Sequence, residues 1–337
     1  MNILVTGGGG FLGRAICKQL INDHKVFSFS RNHHKSLDEL SVETIKGSLH
    51  SKEDIIKALD GIDAVFHVAA IAGVWGKYEK YYSTNTLGTQ NLVDACKESG
   101  IKYLIYTSTP SVVFEKEDIC GADETIGYAN KYLTHYAYTK SLAEKYVIDS
   151  VDDNFFALAI RPHLIWGPGD PHIIPRLVQK SKSGRLKQVG DGENLVDIIY
   201  VDNAASAHVK AFNALVENKN LSGRKYFVGQ EKPVKLWSFI NQLLVSSGEE
   251  LVESSISFKT AYYVGWILEK IFGVIGITQP EPPMTRFVAT QLAKSHYFSH
   301  ANAKADFGYE PLVSIEEGLV ETFKNRQESL DLRKLDT

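Results

Sequence analysis

The chain opens MNILVTGGGGFLGRAI: an apolar run, four consecutive glycines, then an amphipathic stretch. This opening restricts the fold more than any other feature. An apolar run ending in glycines and flowing into a helix is a strand–loop–helix unit. Its glycines let the backbone turn tightly and approach a pyrophosphate at the helix N-terminus. Two spacings are present. Gly8-x-Gly10-x-x-Gly13 fits a general dinucleotide fingerprint, and Gly7-x-x-Gly10-x-x-Gly13 after Thr6 fits a second version of it. Strand and helix flank the loop where the mechanism requires them, so a bound nucleotide is preferred to an empty glycine turn.

The next 150 residues repeat the alternation. Strands are expected at Asn2–Thr6, Lys25–Ser30, Thr44–Lys46, Asp63–His67, Lys102–Tyr106 and Phe155–Ile160. Helical patterns lie near Leu12–Ile21, Lys52–Leu59, Tyr78–Lys97 and Tyr132–Ser150. Nearly wholly apolar strands separated by helices predict a parallel sheet covered on both faces. The expected class is α/β, a Rossmann-type doubly wound sheet with a smaller C-terminal α/β substrate lobe. The division is expected at 1–165 and 166–337, with some later segments returning to the first domain. Arg161–Pro175 holds four of the ten prolines and reads as a loop leaving the sheet. A capping box at Ser314–Glu317 predicts a final helix of about four turns.

Composition excludes several classes. With 37 Lys+Arg against 40 Asp+Glu the net charge is −3, which argues against a broad nucleic-acid footprint. Cys17, Cys96 and Cys120 are too few for a disulfide framework and match no zinc spacing, so no metal is expected. No secretory leader is visible, and a cytoplasmic location is the expectation. Ala261–Ile277 is unusually apolar, interrupted by Glu269 and Lys270. It is short for a membrane span. It reads as a buried helix or a substrate wall, with Glu269 and Lys270 marking a side open to water, and with membrane-surface contact as the lesser option.

The second strand leads into Ser30-Arg31, with Lys35 nearby. A carboxylate here would take a ribose 2′-hydroxyl; a guanidinium suits a 2′-phosphate. NADP(H) is therefore expected over NAD(H), with Arg31 as the contact. Further on, Tyr136 and Lys140 stand four residues apart in a helical stretch, on one face. A free Tyr has a pKa of ~10 and is a poor base near neutrality. A neighbouring ammonium and a nicotinamide cation are expected to lower it, making Tyr136 the acid/base. The fifth strand ends in Thr107, Ser108 and Thr109, hydroxyls that could orient a reacting oxygen.

Together, TGGGGFLG, HVAA (67–70), NTLGTQN (85–91), YTST (106–109), YxxxK and RPHLIWGPGD resemble the extended short-chain dehydrogenase/reductase superfamily. Within it, the chain is similar to the 3β-hydroxysteroid dehydrogenase-type branch, which includes sterol carboxylate dehydrogenases and bacterial 2-alkyl-3-oxoalkanoate reductases. HVAAIAGVWG, YTSTPSVVF and RPHLIWGPGDPHIIPRL resemble the latter in particular. The resemblance implies Tyr136 as acid/base, Lys140 as its partner, and Thr109 as the catalytic hydroxyl with Ser108 in reserve. It implies cofactor contacts from Gly7, Gly10, Phe11, Leu12, Gly13, Ala69, Ala70, Thr107 and Pro162, and from Ser48 and Leu49 at the adenine, where a carboxylate is usual. Asn85 would hold the central helix near the site. It also implies a homodimer, paired through Tyr78–Lys97 and Tyr132–Ser150.

Nucleotide-sugar epimerases and dehydratases of the superfamily are the main rival. Their Asn is replaced here by Leu164, and their Arg-Asp pair by Val196-Asp197. A buried diphosphate needs cations, so a hydrophobic, less charged substrate is expected. The preferred activity is ketone–secondary alcohol interconversion on a 2-alkyl-3-oxoacid or related β-keto or β-hydroxy acid. Sterol or 3β-hydroxysteroid oxidation is the alternative, and a silent NADPH-binding scaffold the alternative from another class.

Overall fold

The computed structural model describes residues 1–324. Seven parallel strands form one sheet: β1 (Asn2–Thr6), β2 (Lys25–Ser30), β3 (Glu43–Lys46), β4 (Ala64–His67), β5 (Tyr103–Thr107), β6 (Phe156–Pro162) and β7 (Lys225–Val228). Their order is β3-β2-β1-β4-β5-β6-β7. The order reverses between β1 and β4, which opens a crevice at their C-terminal ends.

Alternation along each strand sorts residues to the two faces. Ile3, Val5, Phe66, Ile105 and Leu158 pack under α1 (Phe11–Leu20) and α6 (Val201–Glu217). Leu4, Val65, Leu104 and Ala157 pack under α2 (Lys52–Ala58), α3 (Gly88–Glu98) and α4 (His135–Asp149). Fully burying one such aliphatic side chain contributes about 1.5–3 kcal/mol. Both α6 and β7 come from beyond residue 166 and complete the first sheet's layers.

The remainder forms a lobe around Trp166, Trp237, Phe239, Ile240 and Leu243. Its helices are α5 (Ile173–Lys182), α7 (Leu236–Ser246), α8 (Phe258–Ile275) and α9 (Arg286–Ala293). Its four-stranded sheet also borrows Ile119–Ala122 from the first half of the chain. The capping box forms: Ser314 N–H donates to Glu317 Oε2 (2.8 Å) and Glu317 N–H to Ser314 Oγ (3.2 Å). The helix it opens is described over 315–324. Its expected continuation lies outside the described residues.

Three local expectations change. The helical pattern Tyr78–Lys97 is interrupted by a π-helical stretch, Tyr82–Leu87, before α3. Part of Arg161–Pro175 is not loop, because β6 runs through Pro162, Ile165–Trp166 is a short strand, and α5 starts at Ile173. The apolar segment forms α8, but of its residues only Ala261 and Gly265 are buried. A Cβ on Gly265 would stand 2.6 Å from the Thr285 carbonyl carbon, so α8 meets the start of α9 backbone to backbone there. Glu269 faces inward, 10% exposed, and binds Arg286 Nε at 2.6 Å, so only Lys270 marks open water. No helix among the described residues is long and apolar enough to cross a membrane.

Two tryptophans test this arrangement. Trp237 is 2% exposed and its indole N–H donates to the Leu292 carbonyl, whereas Trp266 is 43% exposed. Trp237→Ala should cost about 3–5 kcal/mol in urea unfolding. Trp266→Ala should stay within about 0.5 kcal/mol. Equal losses would mean that α8 is packed on all sides.

Candidate active site

The glycine loop lies at the C-terminal end of β1. Gly7 has φ +70°, and a Cβ on Gly13 would collide with the Gly7 carbonyl oxygen. The loop therefore closes onto α1 only with glycine at these places. The α1 N-terminus at Gly10 carries no side-chain cap and no acidic residue in its first turn. Its free N–H groups and positive dipole end fit an anion such as a dinucleotide pyrophosphate. Phe11 and Leu12 open that helix, with Leu12 buried beneath the loop.

Thr6 ties this loop to β4. Its Oγ1 lies 2.7 Å from His67 Nδ1 and accepts the N–H groups of Val68 and Ala69. Ala69 is part-buried and Ala70 exposed, at the start of the loop that follows β4. Asn85 continues the chain of contacts. It accepts the Ile71 N–H (2.8 Å), donates to the Ile71 carbonyl (3.0 Å), and reaches Thr139 Oγ1 on α4 (3.3 Å). It sits inside the π-helical stretch, a form that often marks functional sites.

Tyr136 and Lys140 lie one turn apart on α4, which Thr134 caps by accepting the Ala137 N–H. Lys140 Nζ donates to the Thr107 carbonyl at 2.6 Å and lies 4.1 Å from the Tyr106 ring centroid. Burial lowers the Lys140 ammonium to about 7, with Glu144 opposing the shift. Tyr136 is desolvated too. Burial pushes its phenol up to about 12, while Thr109 pulls the other way. The protein alone keeps this phenol protonated, because desolvation outweighs the Thr109 hydroxyl. Thr109 is buried and caps a 3-10 turn, its hydroxyl accepting the Ser111 N–H. Thr107 Oγ1 is engaged with His208 Nε2 at 2.9 Å.

The remaining positions frame the crevice. Arg31 is exposed just after β2, with no ion pair among the described residues. Ser48 donates its N–H to Asp54 Oδ2 (3.0 Å), so a carboxylate does stand beside this turn, supplied from α2. Leu49 is buried against Gly88. Pro162 is buried at the end of β6. The sequence reading missed Glu144 and Arg161. Arg161 Nε binds Glu144 Oε2 at 2.9 Å with both side chains essentially inaccessible, and Tyr128 donates its hydroxyl to Glu144 Oε1. Burial pushes the Glu144 carboxyl up, but Arg161 and Tyr128 hold it below the ordinary range. The usable signal was an i, i+4, i+8 series, Tyr136, Lys140, Glu144, on one helix face.

A cavity of about 460 Å³ opens where the loop after β4 meets the lobe. Ile71, Trp75 and Tyr81 line one side, and α5 with Thr278–Glu281 the other. Tyr81 packs on His135, the neighbour of Tyr136. Trp75 donates its indole N–H to the Ile277 carbonyl (2.9 Å) and meets Phe272 edge-on, joining the two sides. The loop after α8, Thr278–Glu281, lines this cavity, and no residue of α8 is among its lining. The cavity is also more cationic than expected. Lys77, Lys80, Arg176 and Lys180 line it with one carboxylate, Glu281, which pairs with Arg176 at 2.9 Å.

Glycine cradle, uncapped α1 and the Tyr136/Lys140 pair define an NAD(P)-dependent oxidoreductase of the extended short-chain dehydrogenase/reductase type. Residues 4–260 match the 3-beta hydroxysteroid dehydrogenase/isomerase family, and the chain belongs to it. It is 45% identical over 323 residues to a 2-alkyl-3-oxoalkanoate reductase of Stenotrophomonas maltophilia, covering 95% of this chain and 97% of that one. It is 34% identical to the decarboxylating sterol-4-alpha-carboxylate 3-dehydrogenase of Mus musculus, over 95% and 90% of the two chains. A UDP-glucuronic acid 4-epimerase of Bacillus cereus, solved with NAD, shares the fold at TM-score 0.72 and 23% identity, over 97% and 99%.

The Lys140 environment gives a pH prediction for the cofactor-free protein. Lys140 titrates near 7 when folded and at 10.5 unperturbed. Between these values the unfolded chain holds a proton the folded one has released, so stability rises with pH. The limiting slope is about 1.4 kcal/mol per pH unit. Urea unfolding should show a smaller rise for Lys140→Met than for wild type above neutrality. Identical slopes would mean that Lys140 stays charged in the fold.

Proposed function

We propose that this chain uses NADP(H) to interconvert a 2-alkyl-3-oxoacid and the matching 3-hydroxy acid. The observation that carries the reading is Tyr136 one helical turn before Lys140, with Lys140 anchored on the Thr107 carbonyl at the edge of the crevice. The 45% identity to a 2-alkyl-3-oxoalkanoate reductase supports the substrate class. So does the cavity, with apolar groups for alkyl chains and, beside the Arg176–Glu281 pair, Lys77, Lys80 and Lys180 for an acid.

When bound, the nicotinamide exchanges a hydride with the carbonyl carbon. Tyr136 Oη holds the proton for the carbonyl oxygen. Its raised pKa means that the phenol is protonated at neutral pH and can donate to the carbonyl oxygen when the ketone is reduced. Lys140 stabilises the phenolate left behind, and Thr109 Oγ1 orients the oxygen.

NADPH consumption should be seen with 2-alkyl-3-oxoacids and be absent with UDP-sugars; the reverse would overturn this reading. Tyr136→Phe should remove turnover and leave NADPH affinity nearly unchanged, as measured by fluorescence titration. Near wild-type kcat in that variant would rule out the assigned proton donor.

The same reading assigns Arg31 to the 2′-phosphate, since no carboxylate stands at the end of β2 and Arg31 is exposed without an ion pair among the described residues. Arg31→Ala should weaken NADPH by about 1.5–3 kcal/mol, the range for a hydrogen bond to a charged group, and leave NADH alone. Equal losses for the two cofactors would refute NADP preference.

A further inference from the structure

Gly9 is an unconstrained position in both glycine spacings, and its backbone has no left-handed φ. What demands a glycine there is a side chain. A Cβ on Gly9 would collide with Cγ and Cδ2 of His34, so the imidazole lies directly against the loop. The segment that delivers this ring is anchored. Ser30 Oγ donates to the Asn32 carbonyl (2.6 Å), and the Leu37 N–H donates to the His34 carbonyl (2.9 Å), with Leu37 fully buried. The Gly7 N–H donates to the Phe29 carbonyl (3.0 Å), which joins the loop to the end of β2 as one wall.

We infer that His34, seated on Gly9, is a second recognition group for the 2′-phosphate beside Arg31. The inference rests on the NADP(H) reading and names a further residue that sets the choice of cofactor. In a doubly wound sheet the ribose 2′ position lies between the glycine loop and the end of β2, where a carboxylate takes the 2′-hydroxyl in NAD-binding chains. His34 stands on the loop side of that gap and Arg31 follows β2. Charge pairing leaves this edge cationic. Asp38 is taken by His33 Nε2 (2.9 Å) and Glu39 by Arg14 (3.5 Å). Arg31, His34 and Lys35 have no carboxylate partner among the described residues. Arg31 and Lys35 are exposed, whereas His34 is half-buried. A packed ring loses less freedom on binding than an exposed long side chain that must be ordered. Its N–H would donate to a phosphate oxygen in a charge-assisted bond, and NADH offers no oxygen of that kind. Gly9 then acts on cofactor choice without touching the phosphate, because any side chain there would lift the ring off the loop.

The test is fluorescence titration of the purified full chain with NADPH and with NADH, which reads affinity without turnover. Wild type should bind NADPH more tightly. His34→Ala and His34→Phe should each weaken NADPH at least about tenfold, the lower end for a hydrogen bond to a charged group, and leave NADH alone. His34→Phe keeps a ring against Gly9 and should keep the wild-type melting temperature, so its loss reports the N–H rather than the packing. Gly9→Ala should lower the ratio of NADPH to NADH affinity in the wild-type background and leave that ratio unchanged in His34→Ala. Three results would overturn the inference. The first is an unchanged ratio in both His34 variants while wild type prefers NADPH, which would leave the 2′-phosphate to Arg31 and the NADP(H) reading intact. The second is equal affinity of wild type for the two cofactors, which would remove the NADP(H) reading as well. The third is tighter binding of both cofactors to His34→Ala, which would make the ring a cover that any dinucleotide must displace.

Discussion

The site depends on a buried ion pair that touches no reactant. Arg161, at the end of β6, and Glu144, on α4, lie at 1% and 0% side-chain exposure, locked by two N–H···O contacts. Taking two charges out of water costs several kcal/mol each, so the pair adds little net stability. Its effect is positional. Removing one partner would leave a buried charge at a cost of about 3–5 kcal/mol, so α4 cannot rotate or slide on the sheet cheaply. Tyr128 and the Phe227 ring close round the pair, the guanidinium carbon 4.9 Å from that ring centroid. Lys140 is one turn from Glu144 and Tyr136 two turns, so the restraint is transmitted along α4 to both side chains.

A second restraint fixes the crevice from the other side. Thr6, His67 and Thr89 form a buried relay, with His67 Nε2 2.9 Å from Thr89 Oγ1, and Thr89 donates onward to the Asn85 carbonyl. Asn85 then holds both Ile71 and Thr139. The glycine loop, the end of β4 and helix α4 are thus joined by hydrogen bonds through one π-helical stretch. Each bond alone contributes about 0.5–1.5 kcal/mol net, but an unpaired buried partner costs more, and the network is complete only in one arrangement.

The sheet was legible because strands covered on both faces must be continuously apolar. Asn2–Thr6 and Lys25–Ser30 are found where the residues predict them. Tyr136 and Lys140 were legible because an i, i+4 relation is local. What escaped was long-range. Nothing local in Lys225–Val228 says that it joins β6, since it pairs across more than sixty residues. Glu144 and Arg161 carry no local mark of their pairing, because only the fold brings them together. The rise in pKa that the protein alone imposes on Tyr136 also escaped, because sequence spacing reports a neighbouring lysine but not how far both groups are removed from water.

The segment Ala261–Ile277 shows the same limit in its sharpest form. Apolar composition states that water is disfavoured but not what replaces it. In the lobe, α7 satisfies its apolar residues internally: Trp237, Phe239, Ile240 and Leu243 are all buried. Helix α8 has similar composition, yet fully buries only Ala261 and Gly265, where the absence of a side chain at Gly265 lets α9 approach. Its fully buried residues are small, Tyr262 and Phe272 are half-buried, and Tyr263, Trp266, Ile267, Ile271, Val274 and Ile275 face outward, unlike a core helix. A mutational drift towards polar residues at Tyr263, Ile271 or Val274 would cost the fold almost nothing, because these side chains are already in water. Their apolar character therefore has no account in the packing of this chain alone.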